Sequence, residues 1–223
     1  MVNLKQNSGR AQQLIVVSWI LLGASVLSIL SDFLQYNLLW GGKQNESSYE
    51  MNDLRQSVIG LLFLGVIIVH IVLFILWFRR AYYNIHQVED LNPKYDEASA
   101  SIAWFIPILN LFRPCQIMLD IWEKTQINTE RLSDRIGTQV VGWWWAMHLT
   151  TNILSNISFR MMNAAQDIPS MMNATLFSAI AELTTIQALL LLIQMVSQMK
   201  RFETQFYNTY SELDITDQLI EDY

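Results

Sequence analysis

The sequence predicts an all-α, polytopic membrane protein with four transmembrane helices and additional cytoplasmic interfacial or re-entrant helices. Hydrophobic residues make up 52% of the 223 residues and charged residues only 15%. The apolar residues form four runs, each near the ~20 residues that cross a hydrocarbon core as a helix. These runs, which we take as the predicted spans, are residues 14–36, 56–78, 140–159 and 175–199.

The positions of Lys and Arg predict the orientation of the chain. Eleven of the 14 lie before the first span, between the second and third, or after the fourth. Because Lys and Arg near spans favour the cytoplasmic side, both termini are expected to be cytoplasmic. The prediction is one multi-pass domain of residues 1–223 in the inner (plasma) membrane. It has a cytoplasmic helical loop over residues 79–138 and a cytoplasmic tail over residues 200–223.

Aromatic and basic residues mark the ends of the spans. Tyr36 and Trp40 fall at the outer end of the first hairpin and Trp77 at an inner end, as expected for amphipathic rings at headgroup level. Arg79 and Arg80 follow the second span directly and are expected to face lipid headgroups.

The loop of about sixty residues is far longer than a hairpin connection needs, so it is predicted to be structured. The second helix should continue past Arg80 until Asn92-Pro93 stops it. Pro107 breaks the apolar stretch 99–111, and Pro114 suits the first turn of another helix. We expect an interfacial or re-entrant helix pair over residues 98–128.

The helix that follows Pro114 carries one apolar face. Its members are Ile117, Met118, Ile121 and Trp122. This face is expected to lie against the membrane, with Trp104 and Trp122 as interface anchors. After the fourth span, the stripe of Phe202, Phe206 and Tyr210 predicts a helical extension that packs on the loop helices.

A continuous run in the loop resembles a known family signature. It reads Trp104-Phe105-Ile106-Pro107-Ile108-Leu109-Asn110-Leu111-Phe112-Arg113-Pro114, with Gln116, Met118, Ile121 and Trp122 after it. With Arg80-Ala81-Tyr82-Tyr83-Asn84 upstream and Gly142-Trp143-Trp144-Trp145 downstream, it is similar to the bacterial membrane family called domain of unknown function 4328. The resemblance implies the fold and topology and brings no activity. The motif residues expected to shape this platform are Trp104, Phe105, Pro107, Asn110, Arg113, Pro114 and Trp122.

Polar residues inside the spans are candidates for function, because ionisable groups are costly in a bilayer. They are Asp32, His70, His148, Asn152 and Glu182. Two stripes are expected to point inward: Ala24, Ser28 and Asp32 on the first span, and His148, Thr151, Asn152 and Ser155 on the third. One interpretation is a proton or cation path, and the other is a set of hydrogen bonds that hold the helices together.

Several chemical classes are disfavoured. The chain has no H-E-x-x-H, G-x-S-x-G, P-loop or G-x-G-x-x-G motif, and nothing activates Cys115 as a nucleophile with His86. We therefore expect no enzyme, no catalytic residue and no cofactor. Two histidines with distant carboxylates do not form a metal site. The loop has seven basic and eight acidic residues, which argues against nucleic acid binding.

Two functions remain in competition. The first is a non-enzymatic accessory or regulatory protein that binds a partner through its cytoplasmic platform, as small multi-pass proteins do in bacterial operons, including those beside antiviral (CRISPR-associated) systems. The second is a small ion channel or proton-coupled transporter that uses the intramembrane His and acidic residues. The expected partners are the lipid bilayer and a cytoplasmic protein, and homo-oligomerisation stays open.

Overall fold

The computed structural model describes residues 3–42, 45–126 and 136–221, with backbone alone over residues 212–221. Every regular element in these residues is helical, which confirms the all-α prediction for the described chain. The elements are α1 (Ser8–Trp40), α2 (Glu46–His86), a 3-10 turn (Glu89–Leu91), α3 (Ser99–Ile102), α4 (Pro107–Asn110), α5 (Arg113–Thr125), α6 (Gln139–Ala164) and α7 (Ile168–Glu221). Residues 127–135 of the predicted loop and 222–223 of the predicted tail lie outside the described residues.

The helix ends follow local chemistry. Just beyond α1, Gly42 has φ 75°, in the left-handed region that glycine adopts readily after a helix. The end of α2 differs from the prediction, because the α-helix ends at His86 and not at Asn92-Pro93. The His86 ring places Nδ1 2.8 Å from the Tyr82 carbonyl oxygen, a contact that occupies a C-terminal carbonyl of the helix.

Within the described residues, three helices are long and apolar enough to cross a membrane: Ser8–Trp40, Glu46–His86 and, within α7, Ile168–Ser211. They contain the predicted first, second and fourth spans. The predicted third span lies in α6, whose 26 residues would reach about 39 Å at the α-helical rise. α6 is not among these three helices, because polar residues such as His148, Asn152 and Asn156 interrupt its apolar run.

The chain forms two compact units. The platform unit contains Met1–Val16, Ile71–Trp143 and Ile193–Tyr223. The span unit contains Val17–His70 and Trp144–Leu192. In the platform unit, large aromatic side chains such as Trp77, Phe78 and Trp122 are fully buried.

The span unit carries its apolar side chains largely on the outside. Leu61 is 70% exposed and Leu62 64% exposed, and many neighbouring aliphatic residues are exposed as well. Soluble monomers rarely display an apolar surface of this extent. Together with the three long apolar helices, this surface is that of a membrane-embedded protein.

Candidate functional site

The platform motif is fixed to α2 through Trp104. The Trp104 ring makes edge contacts with Phe74 and Phe78, with ring centroids 5.2 and 5.8 Å apart. Such aromatic pairs contribute about 0.5–1.5 kcal/mol beyond area burial. Trp104 is therefore an attachment point of the platform within its own unit.

Between α3 and α5, the motif exposes apolar side chains. Pro107 opens α4 at its first turn, and Phe105 and Ile108 on either side of it are 74% and 72% exposed. Leu111 is also exposed, whereas Asn110 is half-buried with its Oδ1 lacking a hydrogen-bond partner. Phe105, Ile108 and Leu111, which we call the apolar knob, form the outer surface of the motif.

The apolar face of α5 has a different environment from the one predicted. Pro114 lies in the first turn of the helix, as expected, and all four residues of the face are fully buried. Trp122 donates its indole N–H to the Ile136 carbonyl oxygen at 3.1 Å and meets the Phe202 ring edge-on at 5.3 Å. This face therefore packs on protein rather than on the membrane, because the C-terminal part of α7 covers it.

Arg113 and Tyr95 tie the motif to the segment after α2. The Arg113 guanidinium lies 4.0 Å from the Tyr95 ring centroid, a cation–π geometry. The Tyr95 backbone N–H donates to the Tyr82 hydroxyl at 2.9 Å, and that hydroxyl donates to the Tyr95 carbonyl oxygen at 2.7 Å. His86 Nε2 lies 2.9 Å from the same carbonyl.

In the span unit, α1 presents a polar seam with a seven-residue period. Ser18, Ser25 and Asp32 are buried on one side of the helix. They extend over about 21 Å along the α1 axis. The predicted stripe of Ala24, Ser28 and Asp32 is therefore wrong in part, since Ala24 and Ser28 are only half-buried. Ser18 and Ser25 were not among the residues predicted from the sequence.

His70 meets the seam at Ser18, with 3.1 Å between its Nε2 and the serine Oγ. His148 interacts electrostatically with His70 and stacks against Trp144 and Trp145 at centroid distances of 5.9 and 5.2 Å. His70 and His148 are therefore close enough in the span unit to interact.

Asp32 lies beside a network of amides and hydroxyls. Gln56 Nε2 donates to Gln35 Oε1 at 2.6 Å, and Gln35 Nε2 donates to Thr175 Oγ1 at 2.8 Å. The Gln56 amide is 3.5 Å from Asp32 Oδ1, the limit of a hydrogen bond. Arg55 donates to both the hydroxyl and the carbonyl of Ser31 at 3.1 Å.

Among the described residues of the span unit, three buried oxygens make no well-formed hydrogen bond: Ser25 Oγ, Asp32 Oδ2 and Glu182 Oε2. They do lie near other polar groups, since Ser25 interacts with Glu182 and Ser178 with Asp32. A buried polar atom without a good hydrogen bond costs about 1–3 kcal/mol, and a bound water or ion is one way to satisfy it.

Asn152 and Ser155 do not point inward as predicted, because both are exposed on the surface of α6. The Asn152 amide instead bonds back along its own helix, with Nδ2 2.7 Å from the His148 carbonyl oxygen and 3.1 Å from His148 Nε2. Local bonding of this kind satisfies an amide without a second helix. Thr151, from the same predicted stripe, does reach α7, with its Oγ1 3.2 Å from Thr184 Oγ1.

A buried carboxylate in the platform unit escaped the sequence analysis. Glu203 lies on α7 beyond the predicted fourth span and is buried. Its Oε1 accepts from Asn7 Nδ2 at 2.8 Å, and its Oε2 accepts from Trp77 Nε1 at 3.1 Å. Burial raises the pKa of Glu203 to about 7, against the opposing effect of these two hydrogen bonds.

Cys115 and His86 are the two residues that the sequence offers as a catalytic pair. Cys115 is half-buried, and burial raises the pKa of its thiol, which leaves less thiolate at neutral pH. Both ring nitrogens of His86 already face carbonyl oxygens. In the part of the chain that the structure describes, no group of three or more His, Cys, Asp or Glu could hold a metal ion.

Comparison with known proteins gives one match. A family model described as Domain of unknown function (DUF4328) matches residues 42–201, well over half of the chain. No curated protein and no solved structure matches.

Proposed function

We propose that this chain, which belongs to the Domain of unknown function (DUF4328) family, is a non-enzymatic membrane protein that binds a protein partner through its platform. The role is that of an accessory or regulatory protein. The observation that carries the proposal is the apolar knob: Phe105 and Ile108 are 74% and 72% exposed in a motif that Trp104 and Arg113 attach to the rest of the platform unit. A rigid base with an exposed apolar tip is suited to recognition.

The proposed topology has four spans, with α6 as the third, and places the termini and the platform in the cytoplasm at the inner membrane. Its support is the distribution of Lys and Arg along the sequence. Reporters fused after Arg80, Lys124 and the C-terminus should score cytoplasmic, whereas fusions near Asn45 and Gln166 should score outside. A cytoplasmic Asn45 contradicts this topology.

Site-specific photo-cross-linking in cells tests the partner. A benzophenone amino acid at Phe105 should give one discrete protein adduct. The same group at Leu61, an equally exposed residue of the span unit, should give lipid adducts. Lipid adducts alone at Phe105 mean that the knob is buried in the membrane interface and that the partner role is wrong.

The second candidate function is an ion or proton path through the span unit. It is supported by the buried oxygens of Ser25, Asp32 and Glu182 that make no well-formed hydrogen bond and by the contact between His70 and Ser18. Ionisable residues in membrane segments mark such paths. The path would use titratable groups in turn, as proton relays do.

Proton flux in proteoliposomes tests the path. Asp32→Asn with Glu182→Gln should abolish flux, and His70→Gln with His148→Gln should remove its pH dependence, since amides hydrogen-bond without titrating. Glu123→Gln is the matched control, because it changes the same residue type at an exposed position outside the span unit. Wild-type protein without flux above empty vesicles excludes the path.

A further inference from the structure

A cleft in the platform unit is lined by four cations. Lys5, Arg10, Arg79 and Arg80 converge on a volume of about 210 Å³, with Tyr83 on its wall. This volume is below the ~300–1,000 Å³ of pockets that enclose drug-sized ligands. The cleft is therefore of a size for a small charged group.

The cations are held in place by the fold. Arg10 Nη1 donates to the Leu76 carbonyl oxygen at 2.7 Å, and Arg80 Nη1 donates to the Gln6 carbonyl oxygen at 3.2 Å. Each guanidinium thus uses one N–H to fix its orientation and keeps others for a ligand. The Lys5 ammonium lies 4.2 Å from the Tyr83 ring centroid.

The backbone that carries Lys5 is also fixed. The Asn84 side chain donates to the Lys5 carbonyl oxygen at 2.8 Å and accepts from the Lys5 N–H at 3.0 Å. This pair of bonds pins the segment before α1 to α2. The basic cleft is consequently shaped by specific hydrogen bonds between α2 and the N-terminal part of the chain.

The positive charge of the cleft is not neutralised by the protein. In the described ranges, the only ion pair within 4.0 Å joins Lys124 and Asp120, and Glu97 is the one acidic residue on the cleft wall. Burial, together with the charges of Arg80 and Arg79, lowers the pKa of Arg10. An anion in the cleft would relieve this repulsion.

The position of the cleft favours a lipid as the source of that anion. Arg79 and Arg80 follow the predicted second span directly, and Arg10 precedes the predicted first span by four residues. One turn above the arginines, Leu76 also lines the cleft, and Val72 is exposed one further turn along α2. An acyl chain can lie along Val72 and Leu76 while the headgroup meets the cations.

We propose that this cleft binds the phosphate of an anionic phospholipid headgroup, with Lys5, Arg10, Arg79 and Arg80 as its ligands. Arg10 and Arg80 position the phosphate through fixed guanidinium groups. Lys5 and Arg79 add charge at the open side. Neutral zwitterionic lipids lack the net charge that the four cations compensate.

Native mass spectrometry of the full chain in a neutral detergent tests the site, with phosphatidylglycerol and phosphatidylcholine as probes. The wild-type chain should retain one phosphatidylglycerol in preference to phosphatidylcholine. Lys5→Gln with Arg79→Gln should weaken phosphatidylglycerol binding about 30-fold, since each cation near an anionic surface contributes about fivefold. Neither Lys5 Nζ nor the Arg79 side chain bonds to backbone, so this variant keeps the fold.

Lys200→Gln with Arg201→Gln is the matched control, because it also removes one Lys and one Arg, and both residues directly follow a predicted span. It should leave phosphatidylglycerol binding unchanged, and an equal loss in the control overturns the specific cleft in favour of general surface charge. Equal retention of the two lipids overturns the anionic headgroup. Binding of inorganic phosphate without retention of phosphatidylglycerol overturns the lipid source and assigns the cleft to a soluble phosphate.

Discussion

Two glutamates on α7, one in each unit, have opposite environments. Both oxygens of Glu203 in the platform unit accept hydrogen bonds, from Asn7 and Trp77. In the span unit, Glu182 interacts with Ser25, but its buried oxygen Oε2 makes no well-formed hydrogen bond. Because a buried carboxylate needs partners to be stable, Glu203 is suited to holding structure, whereas Glu182 is held less firmly.

The same contrast extends to the neighbours of each glutamate. Around Glu203, Asn7 Nδ2 also donates to the Trp77 carbonyl oxygen at 3.1 Å, so three residues form a connected set of bonds, although Asn7 Oδ1 has no partner. Near Glu182, the hydroxyl of buried Ser25 makes no well-formed hydrogen bond. A connected set of bonds resists change, whereas weakly bonded groups can accept water or a proton without breaking good hydrogen bonds.

The largest expected effect comes from truncating each glutamate. Glu203→Ala leaves the Asn7 and Trp77 donors buried without an acceptor and should lower the free energy of unfolding by about 4 kcal/mol, at about 1–3 kcal/mol per orphaned group. Glu182→Ala should cost less than about 1 kcal/mol, because it removes a carboxylate whose Oε2 makes no well-formed hydrogen bond. Denaturant unfolding in micelles, followed by Trp fluorescence, measures both. Equal losses of stability in the two variants would contradict the difference between the two glutamates.

The second prediction is a pH dependence that only one glutamate controls. The pKa of Glu203 is about 7 in the folded protein and 4.5 as its ordinary value, so folding favours the protonated form. Its stabilising contribution is full below about pH 4.5 and is lost as the pH rises through about 7. Over this window the free energy of unfolding should fall by up to about 3 kcal/mol.

Two amide variants check that dependence by the same unfolding measurement at pH 4.5 and pH 8. Glu203→Gln removes the titration and should flatten this part of the profile, whereas Glu182→Gln should leave it in place. If the profile stays steep in Glu203→Gln, another group causes the pH dependence, and the raised pKa of Glu203 is contradicted.

The sequence predicted the elements well because their signal is local. The length of the apolar runs located α1, α2 and α7, and a charge inside an apolar run identified Asp32 and Glu182 as unusual. Glu203 lacked such a signal, since it follows Lys200 and Arg201 in a polar stretch. Its partner Asn7 is 196 residues away in sequence, and only the tertiary fold joins them.

Two other predictions, the α1 stripe and the membrane contact of the α5 face, were wrong for reasons of helix packing. The expected stripe of Ala24, Ser28 and Asp32 used a four-residue step, but the buried side of α1 repeats every seven residues through Ser18 and Ser25. Helices packed in this way follow a 3.5-residue period. The apolar face around Trp122 was identified correctly, yet periodicity cannot tell whether lipid or protein covers a face.

The third prediction concerns Asn7, which donates to Glu203 and to the Trp77 carbonyl oxygen. Asn7→Ala removes the donor to Glu203 Oε1 and to the Trp77 carbonyl oxygen, and should lower the free energy of unfolding by about 2 kcal/mol. Asn3→Ala is the matched control, because Asn3 is exposed in the same segment, and should change it by less than about 0.5 kcal/mol. Similar losses in both variants point to the segment as a whole rather than to the Asn7 bond.

The smallest effects concern two serines of the span unit. Ser18 and Ser25 occupy the same side of α1, but Ser18 Oγ contacts His70 Nε2 at 3.1 Å, whereas Ser25 Oγ makes no well-formed hydrogen bond. Ser18→Ala should therefore cost about 1 kcal/mol, whereas Ser25→Ala should be neutral within about 0.5 kcal/mol or slightly stabilising, since it removes a poorly satisfied hydroxyl. Thermal melts of the two variants, prepared in the same detergent, measure the difference. If Ser25→Ala is the more destabilising, its hydroxyl is bonded in the membrane-embedded protein, and Glu182, with which Ser25 interacts, is the direct partner.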